Sequence, residues 1–149
     1  MVLEDDGLRI ELPAGWEGRV LRCSAHLVAL QAASSSLAPD DDELGAGTVA
    51  SLAEGEAFLT LVEYLPGSGV EPGRVPFHAA GFELPLDPTR FAALPGLEGS
   101  RLQQSFTLAG RAFWLQVVIA GGRLERRRQL PVLDRVLDSL EVAERGQSG

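Results

Sequence analysis

Four acids stand in a row at Asp40, Asp41, Asp42 and Glu43, in "PDDDELG". Clustered carboxylates suit calcium, which takes six to eight oxygen ligands. An EF-hand loop needs acids at alternate positions, a central glycine and a distant Glu, and this stretch has none of that spacing. Consecutive acids diverge on most backbones. Charge in a solvated loop, or beside the amino end of a helix, is therefore the favoured role for residues 40–43, and calcium binding is the alternative.

Imidazole and thiol are scarce: His26, His78 and Cys23 are the whole supply. Two histidines and one cysteine make no structural zinc site without added carboxylates. One thiol also excludes an intrachain disulfide framework. Cys23 and His26 lie three apart, on opposite faces of a strand, which disfavours a Cys-His nucleophile pair. A buried, inert thiol is the expected state of Cys23. Serine-nucleophile spacing of the Gly-x-Ser-x-Gly type is missing, and the glycines of "ELGAGTVASL" and "IAGGRL" lack Walker or dinucleotide spacing. No cofactor is expected.

Two charged features remain. "RLERRR" (123–128) places Arg123, Arg126, Arg127 and Arg128 just before an expected terminal helix. Arginine forks fit carboxylate and phosphate oxygens, so these four are the candidate partner-binding residues. The plainer alternative is a solvated run answered by Glu125 and other acids. Glu63 interrupts an apolar strand. Facing inward with Leu59 and Leu61 it needs a partner, because an unpaired buried charge is costly. An arginine on a neighbouring strand, such as Arg111, is the favoured solution. A pocket acid of raised pKa, with His78 beside it, is the other.

The elements that must position these groups follow from patterning. "LRIEL" (8–12) and "GRVLRC" (18–23) alternate as half-buried strands do, the second with Val20 and Arg22 on one face. "HLVALQAA" (26–33) and "AFLTLVEYL" (57–65) are further strands, the latter rich in β-branched and aromatic residues. Residues 43–55 suit a short helix. "RLQQSFTLA" (101–109) and "RAFWLQVVIA" (111–120) are separated only by Ala109-Gly110 and form an expected antiparallel hairpin. In the second of these, Phe113, Leu115, Val117 and Ile119 point one way, and Ala112, Trp114, Val118 and Ala120 the other. A strand apolar on both faces is covered on both sides. Residues 129–142 carry Leu133, Val136, Leu137 and Leu140 at helical spacing. Between 66 and 100 stand six of the nine prolines. A connection this long carries small elements or a function. Asp87 can cap a short helix beginning at Pro88, near 88–94.

The ends of the chain carry a resemblance. "IELPAGW" runs a strand into a Pro-x-Gly-Trp turn, and "LDSLEV" ends the closing helix in a Ser-hydrophobic-x pattern. In this order the chain resembles the Mog1/PsbP-like α/β sandwich group, and it is also similar to small proteins of high-GC actinobacteria. The resemblance implies an α+β fold, a mostly antiparallel sheet with a C-terminal helix packed on it. Members of that group bind quite different partners, so it implies no activity. Physically, the proline stops the strand, the glycine makes the bend, and the Trp16 ring folds back over a sheet end.

Composition bounds the rest. The 149 residues are the size of one domain, expected to span 1–149. All 13 basic residues are arginine, against 21 acidic ones, for a net charge of −8. That balance argues against nucleic acid and anionic membranes as partners. The acidic "MVLEDDGLRI" is unlike a signal peptide, and no apolar run approaches the length of a membrane span, so a cytoplasmic bacterial protein is expected. The leading functional expectation is a non-enzymatic interaction or accessory domain, binding a protein partner or a second copy of itself. The competing one is a small-molecule or hydrolase pocket lined by Glu63 and His78 and lidded by residues 66–100.

Overall fold

The structure is a computed structural model, and it describes residues 1–145. Two strongly apolar strands form its centre: β5 (Ala57–Tyr64) and β8 (Arg111–Ala120), paired antiparallel from Ala57 opposite Ile119 to Tyr64 opposite Ala112. The remaining strands are β1 (Val2–Asp5), β2 (Leu8–Glu11), β3 (Glu17–Ser24), β4 (Leu27–Ala33), β6 (Ala92–Ala93), β7 (Gly99–Leu108) and β9 (Glu141–Val142). The helices are α1 (Ala46–Ser51) and α2 (Arg123–Asp138). Six strands form an antiparallel sheet in the order β3-β4-β5-β8-β7-β6, and three form a smaller one, β1-β2-β9. The fold is thus α+β, mostly antiparallel, with one C-terminal helix.

The register puts Leu59, Leu61 and Glu63 on one face with Phe113, Leu115 and Val117, and Phe58, Thr60 and Val62 on the other with Trp114, Gln116 and Val118. Both faces are covered, as the pattern of β8 requires. On the first face, Leu133, Val136 and Leu137 of α2 and Leu8 and Ile10 of β2 join the sheet in one buried cluster. At about 25 cal/mol per Å² of apolar surface, each fully buried leucine or isoleucine contributes about 2 kcal/mol. On the second face, Leu37, Val49 and Leu52 of the 34–56 segment pack on Phe58, Ala33 and Val118.

The turn after β2 answers to its residues. Trp16 N donates to Pro13 O at 3.2 Å with Gly15 at φ +86°, a turn whose third position needs positive φ. Trp16 then packs, half-buried, against the main core. The β7–β8 hairpin closes through Ala109 (φ 53°) and Gly110 (φ 71°), the left-handed pair that matches the strand twist. The two end motifs meet in space: Glu11 N donates to Ser139 Oγ at 2.9 Å, and Arg9 pairs with Glu141 as β9 joins β2.

Two expectations need correction. The terminal helix spans Arg123–Asp138, not 129–142, so "RLERRR" forms its first turns instead of preceding it, and Glu141–Val142 of "LDSLEV" leave it to pair with β2 as β9. Gly121 (φ 102°) breaks β8, Glu125 Oε2 accepts from Gly122 N at 3.0 Å, and arginine is a good helix former. Pro131 then sits inside the helix, where position 131 has no N–H to bond back to Arg127. The helix near 88–94 is a single 3-10 turn, Pro88–Arg90, with Asp87 Oδ1 accepting from Thr89 N at 2.9 Å. It stops because Phe91 turns extended into the core cluster and Ala92–Ala93 pair with β7.

The long 66–100 segment also has a structural task. It covers the outer edge of β7, which otherwise presents unpaired N–H and C=O groups. Ala93 pairs with Ser100 at one end, while at the other Thr107 N donates to Ala79 O at 2.8 Å.

Candidate functional site

Glu63 is a structural ion, not a pocket acid. Its side chain is 1 % exposed, and Arg111 on β8 is 2 % exposed. Arg111 Nε donates to Glu63 Oε2 at 2.9 Å and Nη2 to Oε1 at 2.7 Å, the forked geometry arginine favours. Arg145 Nε donates to the same Oε2 at 2.7 Å, and its Nη2 reaches Asp6 at 3.1 Å. Arg111 also donates to the carbonyls of Asp6 and Ala143, both at 2.9 Å. Burial pushes the Glu63 carboxyl up, but the hydrogen bonds from Arg145 and Arg111 outweigh it and leave the pKa below the ordinary 4.5. Glu63 is therefore ionised at neutral pH and both its oxygens are occupied.

His78 does not join it. His78 is exposed in the segment beside β7, next to Phe77, whose ring packs on Tyr64 at 5.2 Å. Tyr64 points to the face of the sheet opposite Glu63. The expected Glu63–His78 pocket is thus not assembled: one member is sealed between arginines, and the other is exposed.

The acidic loop is likewise turned inward on its own backbone. Asp41 accepts from Gly47 N at 2.9 Å, Thr48 N at 2.8 Å and Thr48 Oγ1 at 2.7 Å; Asp42 Oδ1 accepts from Leu44 N at 3.0 Å. Burial raises the Asp41 pKa, and these bonds more than offset it. The loop is fastened to the sheet by a polar row that crosses it, Arg19, Gln31, Thr60, Gln116 and Gln103. Gln31 Nε2 donates to Asp42 O at 2.8 Å, Thr60 Oγ1 to Glu43 O at 2.8 Å, and Gln116 Nε2 to Leu44 O at 3.4 Å. Among the described residues, no group of three or more His, Cys, Asp or Glu could hold a metal ion.

Cys23 lies half-buried at the end of β3, and His26 is exposed in the following turn. Burial, then the charges of Glu43 and Asp42, push the thiol above its ordinary 9.0, so it is a poor nucleophile at neutral pH.

The arginines of α2 occupy a different setting. Arg123, Arg126, Arg127 and Leu130 fall at i, i+3, i+4 and i+7, one face of the helix. That face forms one wall of an open groove of about 870 Å³, whose other wall is the 3-10 turn with Thr89 and Phe91. Phe91 and Leu130 both rest on the main core, so the groove has a fixed apolar floor. Among the described residues, no carboxylate lies within ion-pair distance of Arg123, Arg126 or Arg127. Arg128 points elsewhere: it is outside the groove lining, and its charge bears on Glu125. Three of the four expected arginines are thus brought together. Phe91 and Thr89 were not singled out, because nothing in the chain says that residues about thirty-five positions apart will face each other.

Carboxylates cluster at the turn before α2, outside the groove lining. The Glu54 and Glu125 side chains both approach Gly121, and the interaction with Glu125, then the charge of Glu98, raises the Glu54 pKa. Glu98 also lies beside Gly122. Comparison with protein-family models, curated proteins and solved structures finds no match to the chain.

Proposed function

We propose that this chain is a non-enzymatic interaction or accessory domain on a Mog1/PsbP-like sandwich, and that it docks an acidic protein partner in the groove beside α2. The observation that carries the reading is the groove itself: three arginines without carboxylate partners among the described residues, on one helix face, over a floor of Phe91 and Leu130. A charged surface ringed around an apolar seat matches the anatomy of a protein interface better than that of a reaction centre. The contact of Ser139 with Glu11, which unites the two end motifs, supports the sandwich assignment. A cytoplasmic setting belongs to the same reading, supported by the lone free thiol. A second copy of the chain is the alternative partner.

The test is affinity capture with the wild-type chain and an Arg123→Gln/Arg126→Gln/Arg127→Gln variant in parallel, together with the solution mass of each. Proteins retained by the wild type and lost from the variant at equal salt are expected. Identical capture by both, with both monomeric, contradicts the reading. A wild-type dimer that the variant dissolves replaces the partner with a second copy.

A further inference from the structure

We infer that the groove reads a short acidic motif in an extended segment of the partner, an acid two residues from a large apolar side chain. The inference rests on the interaction role proposed above and deepens it. From Arg126 to Leu130 the helix rises about 6 Å, at 1.5 Å per residue. In an extended peptide, side chains two residues apart point the same way and stand about 6.6 Å apart. A carboxylate opposite Arg126 and Arg127 therefore brings the residue two positions on over Leu130 and Phe91, both of which line the groove. The intervening side chain points away and is unconstrained.

The carboxylates at the amino end of α2 limit the length. Glu54, Glu98 and Glu125 interact there, beside the turn that leads into Arg123. An acidic run continued past Arg123 meets these like charges. Duplex nucleic acid carries a charge about every 1.7 Å, so it cannot avoid them. The groove thus favours one or two acids next to an apolar anchor and rejects a long polyanion.

The test uses the full chain and fluorescence anisotropy. The probe is a labelled peptide Gly-Ser-Glu-Ser-Phe-Ser-Gly, with a Glu-to-Gln peptide, a Phe-to-Ala peptide, a labelled oligonucleotide and inorganic phosphate as comparisons. The Glu peptide is expected to bind, and the Glu-to-Gln peptide about tenfold more weakly, as loss of a charge-assisted bond predicts. Arg126→Gln/Arg127→Gln should weaken the Glu peptide similarly, and Arg128→Gln should not. The peptide exchanges leave the protein untouched, so a poorly folded variant does not obscure the result. Equal binding of the Glu and Gln peptides, or no peptide binding at all, overturns the inference. So does arginine-dependent binding of the oligonucleotide or phosphate in place of the peptide. If capture depends on the arginines and this peptide fails, the motif is wrong and the interaction role stands.

Discussion

The chain uses arginine in two opposite ways. Arg111 is 2 % exposed, wedged against an equally buried Glu63, and spends its remaining N–H groups on the carbonyls of Gly7, Asp6 and Ala143. Arg123 and Arg127 are exposed and Arg126 is half-buried in the groove wall, all three with no carboxylate partner among the described residues. A buried charge persists only if its bonds are made inside the fold, and then it has nothing left to offer a ligand. An exposed guanidinium over an apolar floor keeps its bonding capacity for a visitor. The difference lies in satisfaction and not in residue type. Glu63 is the acid for which the sequence leaves a pocket role open as the alternative, and the fold occupies both its oxygens.

Breaking each side of this comparison should give unequal costs. Glu63→Gln leaves Arg111 buried without a counter-charge and should lower unfolding free energy by about 3–5 kcal/mol, read from denaturant midpoints. The pH dependence follows. The Glu63 carboxyl has a lowered pKa in the folded state, so its stabilisation is fully present above the unfolded value, near the ordinary 4.5, and is lost as pH falls through the folded one. Acid denaturation of Glu63→Gln should lack that component, and an unchanged acid profile would contradict the pairing. Gly45→Ala tests the other face of the sheet. A Cβ there, at φ +70°, collides with the Phe58 ring, and a loss of about 1–3 kcal/mol should appear in the thermal midpoint. Arg145 is 31 % exposed and shares Glu63 with Arg111. Arg145→Ala should therefore cost only about 1 kcal/mol by the same denaturant assay. Arg126→Gln/Arg127→Gln should shift stability by less than about 0.5 kcal/mol, because these side chains satisfy nothing in the fold. A double variant as unstable as Glu63→Gln would place them on the structural side.

The central strands were legible because their residues do one thing. The alternation in 111–120 puts Phe113 and Trp114 on opposite faces, as the pairing with β5 does. Residues 57–65 read as a strand for the same reason. β1 was not legible: "VLED" is short and mostly exposed, and it is held by pairing with β2 instead of by a buried pattern of its own. Nor was β9, two residues long. The start of α2 was hidden because four arginines look like a solvated linker, although they are good helix formers. The docking of residues 42–44 left only a trace, Gln31 and Gln116 within apolar strands, because the groups they hold are backbone carbonyls and those belong to every residue type. The arginines of the groove could be named from sequence. Its opposite wall at 88–91 could not, since the approach depends on how the 66–100 segment wraps the edge of β7.

The most direct test of the division between sealed and open arginines is backbone amide NMR during titration with the Glu-Ser-Phe peptide. The account predicts saturable shifts confined to residues 88–91 and 123–130, with the amides of Glu63, Arg111 and Arg145 unmoved. Shifts centred on Glu63 and Arg111, or a peptide that moves no amide of α2, would contradict it.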